Sequence, residues 1–485
     1  MVLVPEISLT PQMVDRFLAR FGDCVSVLHS KLSIGERFDQ WQKINDNEAK
    51  IIIGARSAVF APAEDIGIII IDEEHDSSYK SEMTPRYNAK EIAYYLAKQN
   101  NIPLVLGSAT PDINTFYKAQ IGKIKLLTLR NRANNSRLPE VKVVDLRDEL
   151  AQGNKSMISR LLHDKIEENI KNKKQTILFL NRRGYSTFVM CRDCGFTAKC
   201  KNCNVTLTYH KDENKLKCHL CGFETHNISI CPVCGSKNVK YFGTGTQKLE
   251  SEIHNMFPGV STIRMDIDTV TRKNTHEAIL NRFKNENIDV LIGTQMVVKG
   301  HHFPNVTLVG VIAADSSLNI EDFRASERTF QILTQVAGRA GRENSPGEVI
   351  IQTYNPDHFS IEYAKEQNYD LFYKAEISLR ERLKYPPFCD IIVLGINGKD
   401  EEMVKKSAEK MAKILEKYKD SNFFISKAIP SPISRIKNRY RWRIILKCNF
   451  NSSVINKINA SLEEYYKNNK KDINIFIDIN PGSMM

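Results

Sequence analysis

Four C-x-x-C pairs, Cys191/Cys194, Cys200/Cys203, Cys218/Cys221 and Cys231/Cys234, constrain this chain more tightly than any other stretch. A C-x-x-C turn brings two thiolates to one tetrahedral Zn²⁺ at a Zn–S distance of ~2.3 Å, so four pairs predict two four-cysteine sites. The spacings between successive pairs, five, fourteen and nine residues, leave open which pairs share an ion. Gly195, Gly222 and Gly235 directly follow the second cysteine of three pairs, where a permissive backbone suits a tight knuckle. Full ligand sets leave no open coordination position, so the ions are expected to be structural. Cys24, Cys389 and Cys448 lie outside the cluster and are assigned to packing.

The rest of the composition fits a reducing compartment and an anionic partner. At 485 residues the chain has room for roughly three domains of about 150 residues. Its net charge of +12 falls to +8 once eight thiolates (−8) and two dications (+4) are counted, so it stays basic. No apolar run approaches the ~18 residues of a membrane span, and residues 1–12 lack the basic start of a signal peptide. The expected location is the cytosol, with no membrane contact.

Strand and helix patterns alternate through residues 1–145, which reads as a parallel-sheet lobe. It begins within a strand at Val2 to Val4; further strands are expected within Ile51 to Phe60, where the strand leads into a loop, in the apolar run that begins the stretch Ile66 to Asp76, and at Leu104 to Leu106. Asn88 with Glu91 resembles a capping box opening a helix over Ala89 to Gln99, on which Tyr94 and Tyr95 are expected to pack. A second lobe spans 146–355, with strands at Thr176 to Leu180, Asp289 to Ile292, Thr307 to Ala313 and Glu348 to Gln352. The cysteine module, 188–240, interrupts it after its first strand. Residues 365–485 read as an α+β domain, with a helix at Met403 to Lys419 and strands at Arg441 to Lys447 and Ile473 to Ile479.

Chemistry concentrates at strand ends. The apolar run from Ile66 stops at Asp72-Glu73-Glu74-His75, which places carboxylates at the carboxyl end of a buried strand, where α/β proteins bind ligands. One carboxylate there can hold Mg²⁺ through water and the next can orient an attacking water. Gly107-Ser108-Ala109-Thr110-Pro111 follows another strand. The second lobe carries residues 293–304 (G-T-Q-M-V-V-K-G-H-H-F-P) and then Gln335 to Arg342 (Q-V-A-G-R-A-G-R). Arg339 and Arg342, three apart, are expected on one helical face, able to stabilise charge on a transferred phosphoryl group.

In this order, D-E-E-H, G-S-A-T-P, the 293–304 motif and Q-V-A-G-R-A-G-R resemble a superfamily-two helicase. Eight paired cysteines inserted into the second lobe are similar to the primosomal protein N′ family of replication-restart helicases, and the resemblance runs over essentially all of the chain. It implies two RecA-like lobes, the first incomplete, a two-zinc module in the second and an α+β DNA-binding domain at the end. It implies Asp72, Glu73, Glu74 and His75 at ATP and Mg²⁺, with Asp72 and Glu73 catalytic beside Arg339 and Arg342. Gln335 would face the nucleotide with the two arginines, and Ser108 to Thr110 would couple hydrolysis to lobe movement. The implied zinc pairing is nested: Cys191, Cys194, Cys231 and Cys234 on one ion, Cys200, Cys203, Cys218 and Cys221 on the other. The family also implies a 3′ to 5′ monomer in the bacterial cytoplasm and nucleoid. Its partners would be forked and single-stranded DNA, single-strand-binding protein, other primosome proteins and the replicative helicase.

DNA contacts are expected in three places. By the resemblance, Gly54 to Ser57, with Arg56, touches the DNA backbone. Tyr79 to Tyr87 (Y-K-S-E-M-T-P-R-Y) corresponds to an aromatic-rich loop, in which Tyr79 and Tyr87 would stack on bases and Lys80 and Arg86 meet phosphates. Anchoring of the loop by its tyrosines is the simpler alternative. In the tail, Arg435, Lys437, Arg439, Arg441 and Arg443 alternate, so that a single extended strand would point all five to one face.

The family pattern also requires a phosphate loop, G-x-x-G-x-G-K-T, ahead of V-L-V-P-E-I, and no such stretch occurs in this sequence. Loss of a single preorganised donor costs ~10²–10³ in rate. The sequence is therefore expected to be a fragment or a late start with impaired ATP hydrolysis. A non-catalytic, zinc-containing DNA-binding scaffold is the rival expectation.

Overall fold

The computed structural model describes residues 1–5, 11–30, 32–129, 138–180, 188–210, 213–242, 245–266, 275–294, 303–340, 347–420, 423–467 and 473–484. These residues fall into two units, one built on Met1–Thr128 and the other mainly on the chain beyond it.

The first unit is a parallel sheet of β1 (Val2–Leu3), β2 (Val25–Leu28), β3 (Ile51–Gly54), β4 (Ile69–Ile71) and β5 (Leu104–Leu106), in the order β2-β3-β1-β4-β5. The chain does begin in a strand, and it is the central one. Continuous isoleucine, valine and leucine suit strands covered on both faces. The helix Ala89–Gln99 packs here through Ala89, Ala93 and Ala97, whose small side chains let it lie close to Leu3, Ile69 and Ile71. Asn88 caps it, its side-chain oxygen accepting the Lys90 N–H at 3.0 Å. Because alanines take the inner face, Tyr94 and Tyr95 are left 59% and 65% exposed, not packed on the helix as expected. β4 is shorter than the apolar run around it. Its partner β1 offers only Val2 and Leu3, in register with Ile70 and Ile71, so Ile66 to Ile68 stay outside the ladder.

The second unit opens with β6 (Glu140–Asp145) and β7 (Gln175–Leu180). The cysteine module follows. β8 (Phe188–Cys191) runs into a three-stranded antiparallel sheet of β9 (Thr208–His210), β10 (Lys215–Lys217) and β11 (Glu224–His226), and β12 (Val239–Phe242) returns to pair with β8 at the base. β13 (Thr262–Met265), β14 (Val290–Gly293), β15 (Val306–Ile312) and β16 (Glu348–Thr353) complete a six-stranded parallel sheet in the order β13-β14-β7-β15-β16-β6. β6 pairs with β16 from Glu140↔Glu348 to Asp145↔Thr353. The expected boundary at residue 145 therefore falls on the far side of a strand that already belongs to the second sheet.

The final domain is an antiparallel sheet of β17 (Asp390–Gly398), β18 (Phe423–Ile425), β19 (Ile429–Ile436), β20 (Arg439–Cys448) and β21 (Asn474–Ile479). The helices Glu401–Glu416 and Ser452–Lys467 cover one face through Val404, Ala408, Met411, Val454 and Ile458. The other face meets the cysteine module: Ile391, Val393 and Ile445 share a core with Cys200, Leu207, Leu216 and Cys218.

Candidate nucleotide site and metal centres

The acidic run leaves β4 with four different outcomes. Asp72 is exposed and Glu73 partly exposed, with Glu73 in a left-handed backbone conformation (φ 45°). Glu74 turns inward and is 1% exposed. It accepts from the Asp112 N–H at 2.7 Å, the Lys90 ammonium at 2.9 Å and the Thr115 hydroxyl at 3.0 Å. Those three bonds tie the strand end to two helices, so Glu74 is a structural residue and not the nucleotide ligand expected. The buried carboxylate has a cation and two neutral donors, which a buried charge requires. His75 Nδ1 lies 2.7 Å from the Ser108 hydroxyl and 3.6 Å from Glu73. A direct bond thus joins D-E-E-H to G-S-A-T-P. Nothing in the sequence marked Lys90, Asp112 or Thr115 as partners of that cluster.

The aromatic-rich loop is anchored from within. Tyr79 is 1% exposed, and its hydroxyl donates to the backbone oxygens of Leu3 (3.0 Å) and Asp72 (2.6 Å). Burial, followed by the charges of Asp72 and Asp76, pushes its pKa far above the ordinary tyrosine value. A buried ring cannot stack on a base, so the expected DNA role of Tyr79 is withdrawn in favour of the anchor. Arg56 donates Nη1 to the carbonyls of Ser78 (3.1 Å) and Lys80 (2.7 Å), and its guanidinium lies 5.7 Å from the centre of the Tyr87 ring. Tyr87 meets Phe60 edge-on at 4.9 Å. Arg56 and Tyr87 therefore shape the loop, and Lys80 and Arg86 are half-buried at its flanks. The exposed part is its tip, with Met83 at 75%.

Gln335 lies near the end of the helix Ala325–Ala337, and Gly338 is its C-cap. Arg339 follows that cap, so it does not lie on the helical face expected; Arg342 and residues 295–302 lie outside the described residues.

The eight cysteines gather into two groups, Cys191, Cys194, Cys231 and Cys234, and Cys200, Cys203, Cys218 and Cys221, with ligand atoms in each within 4.8 Å of one another. The nested pairing holds. Sulfur separations of 3.7 Å (Cys191–Cys234), 3.5 Å (Cys194–Cys231) and 3.5 Å (Cys200–Cys221) approach the ~3.8 Å edge of a tetrahedron with Zn–S ~2.3 Å. Both four-thiolate sets fit structural zinc. All four pairs share one turn, in which the residue after the second cysteine returns its N–H to the first cysteine's carbonyl at 2.8 to 3.0 Å. That residue has a left-handed backbone every time: Gly195, Gly222, Gly235 and, in the fourth, Asn204 at φ 55°. Asn204 was overlooked in the sequence, although asparagine is the side chain best suited to that region after glycine.

The basic tail is a hairpin and not a single ribbon. Lys437 and Asn438, at φ 48° and 59°, form its two-residue turn between β19 and β20. Two consecutive left-handed residues give the turn whose twist matches paired strands. Arg435 pairs with Tyr440 and lies over its ring at 5.0 Å, on the face opposite Arg439 and Arg441. Arg435, Lys437 and Arg439 are exposed at the tip and Arg441 is half-buried. Arg443 is 4% exposed and donates to the His219 carbonyl at 2.7 Å and to the Met484 carbonyl, so it is not available to DNA.

Comparison with known proteins was consistent along the chain. Residues 1–118 match the DEAD/DEAH box helicase model and 230–344 the helicase conserved C-terminal domain. Residues 200–225 match the PriA DNA helicase Cys-rich region, and 381–482 the primosomal protein N C-terminal domain. Replication restart protein PriA of Bacillus subtilis is 48% identical over 485 residues, covering all of this chain and 60% of that protein. The protein of the same name from Rickettsia felis is 38% identical over 447 residues, covering 92% of this chain and 68% of its own length. The chain thus spans about three fifths of the Bacillus relative. Among solved structures, RecG bound to a three-way DNA junction aligns with 79% of this chain and 43% of its own, at 11% identity and a TM-score of 0.41.

Proposed function

The chain belongs to the replication restart protein PriA family, and on that premise we propose that it supplies the motor and fork-binding parts of an ATP-dependent 3′ to 5′ DNA helicase that restarts stalled replication forks. The observation that carries this reading is the contact between His75 and Ser108 beside the outward acids Asp72 and Glu73. In that arrangement Asp72 would hold Mg²⁺ and Glu73 would orient the attacking water when ATP is bound. A shift of charge there would reach the 107–111 loop through the His75–Ser108 contact and the bond from the Glu74 N–H to the Gly107 carbonyl. In the second lobe, Gln335, Arg339 and Arg342 are the residues that the family resemblance implies for nucleotide contact. The exposed hairpin tip, Arg435, Lys437 and Arg439, supports contact with the phosphates of forked and single-stranded DNA. Single-strand-binding protein, other primosome proteins and the replicative helicase are the partners this role requires, in the bacterial cytoplasm and nucleoid and with the chain as a monomer. Among the described residues no helix is long and apolar enough to cross a membrane.

Fork-stimulated ATP turnover, measured for the wild-type chain and for Glu73→Gln, tests the proposal. Turnover that the substitution abolishes supports the motor. Tight fork binding with no turnover in the wild type would make this chain, which lacks a G-x-x-G-x-G-K-T stretch, a DNA-binding scaffold.

A further inference from the structure

The segment Pro481 to Met484 runs into a buried polar junction among three parts of the second unit. Arg324 donates to the Pro481 carbonyl at 2.8 Å, and Arg328 to the Gly482 carbonyl at 2.6 Å. The Met484 N–H reaches Asp322 at 3.2 Å, and Met484 itself is 1% exposed. Asp322 is buried and also pairs with Arg324 at 3.0 Å and Arg328 at 3.1 Å. Burial alone would raise its pKa, but the two guanidinium groups hold it well below the usual carboxylate range.

The junction extends into the cysteine module by two routes. The first is Arg443, which bridges the carbonyls of Met484 and His219. Burial lowers its pKa to about 10, which still leaves it charged at neutral pH. The second is Glu321, next to Asp322 in sequence: it accepts the His219 N–H and lies 2.5 Å from His219 Nδ1 and 2.8 Å from the Thr208 hydroxyl. His219 sits between the zinc-site residues Cys218 and Cys221. The residues on the other side, Asp322 to Arg328, lead into and begin the helix Ala325–Ala337, whose last turn holds Gln335 and whose C-cap, Gly338, precedes Arg339.

We propose that Pro481 to Met484 is a latch, and that Arg324, Arg328 and Arg443 are positioning residues that lock the Cys200–Cys221 centre to the helix carrying Gln335. Loosening at that centre moves His219, and both routes from His219 end on the Asp322–Arg328 turn. At the other cysteine group, among the described residues, the Arg192 N–H donates to the Asn238 carbonyl and Asp193 accepts from Ser236 and Asn238, contacts that stay within the module. Only the statement that Gln335 and Arg339 serve a nucleotide rests on the helicase reading; the coupling itself does not.

Hydrogen exchange of the purified, zinc-loaded chain tests the latch without nucleotide. Three variants are compared with wild type: a chain ending at Asn480, Arg443→Lys, and Arg439→Gln at the exposed end of the same strand as a control. The truncation is expected to raise exchange across Ala325–Ala337 at least tenfold and to accelerate release of one of the two zinc ions to a colorimetric chelator. Arg443→Lys, which keeps one of the two carbonyl bonds, falls between truncation and wild type, a graded response that simple loss of folding would not give. Circular dichroism confirms that the variants are folded. A folded truncation with wild-type exchange in Ala325–Ala337 and wild-type zinc release overturns the proposal. So does equal acceleration of both zinc ions. Absence of ATP turnover would sink the motor reading and leave these results unaffected.

Discussion

Tyr79 and Arg443 were both read in the sequence as DNA contacts, and both turn out to hold the protein together. An aromatic residue in a polar loop or an arginine in a basic run has the same identity whether it faces water or a backbone carbonyl; only the tertiary partner decides. For Tyr79 those partners are Leu3 and Asp72, on two adjacent strands far apart in sequence. Removing the hydroxyl in Tyr79→Phe leaves Leu3 with its bond from the Asp72 N–H. The main loss is the bond to the Asp72 carbonyl, so the expected destabilisation is about 1–2 kcal/mol. Denaturant midpoints measure that loss. Anisotropy with a fluorescent oligothymidine should show affinity unchanged within about twofold, because the ring is buried and stacking, at ~1–3 kcal/mol per base, is not its role. A large drop in affinity at unchanged stability would restore the stacking role.

At the scale of elements, legibility followed periodicity and failed at connections. The strand Leu104–Leu106 and the helix Ala89–Gln99 carry their own signals, an apolar run or a cap followed by alanines every fourth residue, and both lie where expected. Residues 140–145 were counted with the first lobe without being read as a strand, and a parallel strand does not announce which sheet it joins. The hairpin was missed because Lys437-Asn438 lacks the glycine that usually marks such turns, so alternation was carried straight through it. That error changes the predicted interface. Replacing Arg435, Lys437 and Arg439 together by glutamine should reduce the slope of log affinity against log salt on duplex DNA by about 2.7, at ~0.9 per phosphate lost. Arg443→Gln should leave that slope unchanged while lowering stability, since it disturbs a buried junction. Equal slope changes from the two variants would mean that Arg443 reaches phosphate and that the hairpin opens on binding.

At the scale of the whole molecule, the two zinc centres look equivalent in sequence and differ in what surrounds them. Cysteine spacing expresses local coordination, and it carries no trace of which centre faces another domain. All four ligands of the Cys200, Cys203, Cys218 and Cys221 centre line the core shared with Tyr385, Ile391, Val393 and Ile445, and none of the other four cysteines does. Tyr385 adds a hydrogen bond to the Cys203 carbonyl at 3.2 Å. Loss of this centre therefore removes one wall of the final domain's sheet, whereas the other centre is bordered by exposed Cys234. Structural zinc contributes much of a small module's folding energy, so each loss is felt first by what packs on that site. Calorimetry of Cys218→Ser should show part of the transition lowered by ~10 °C or more, as expected for several kcal/mol in a domain of this size. Cys234→Ser should shift the main transition by no more than about 2 °C, although zinc content falls from two ions to one in both variants. A larger shift from Cys234→Ser than from Cys218→Ser would mean that the module's base, where β8 pairs with β12, sets its stability, and the shared core would be the lesser support.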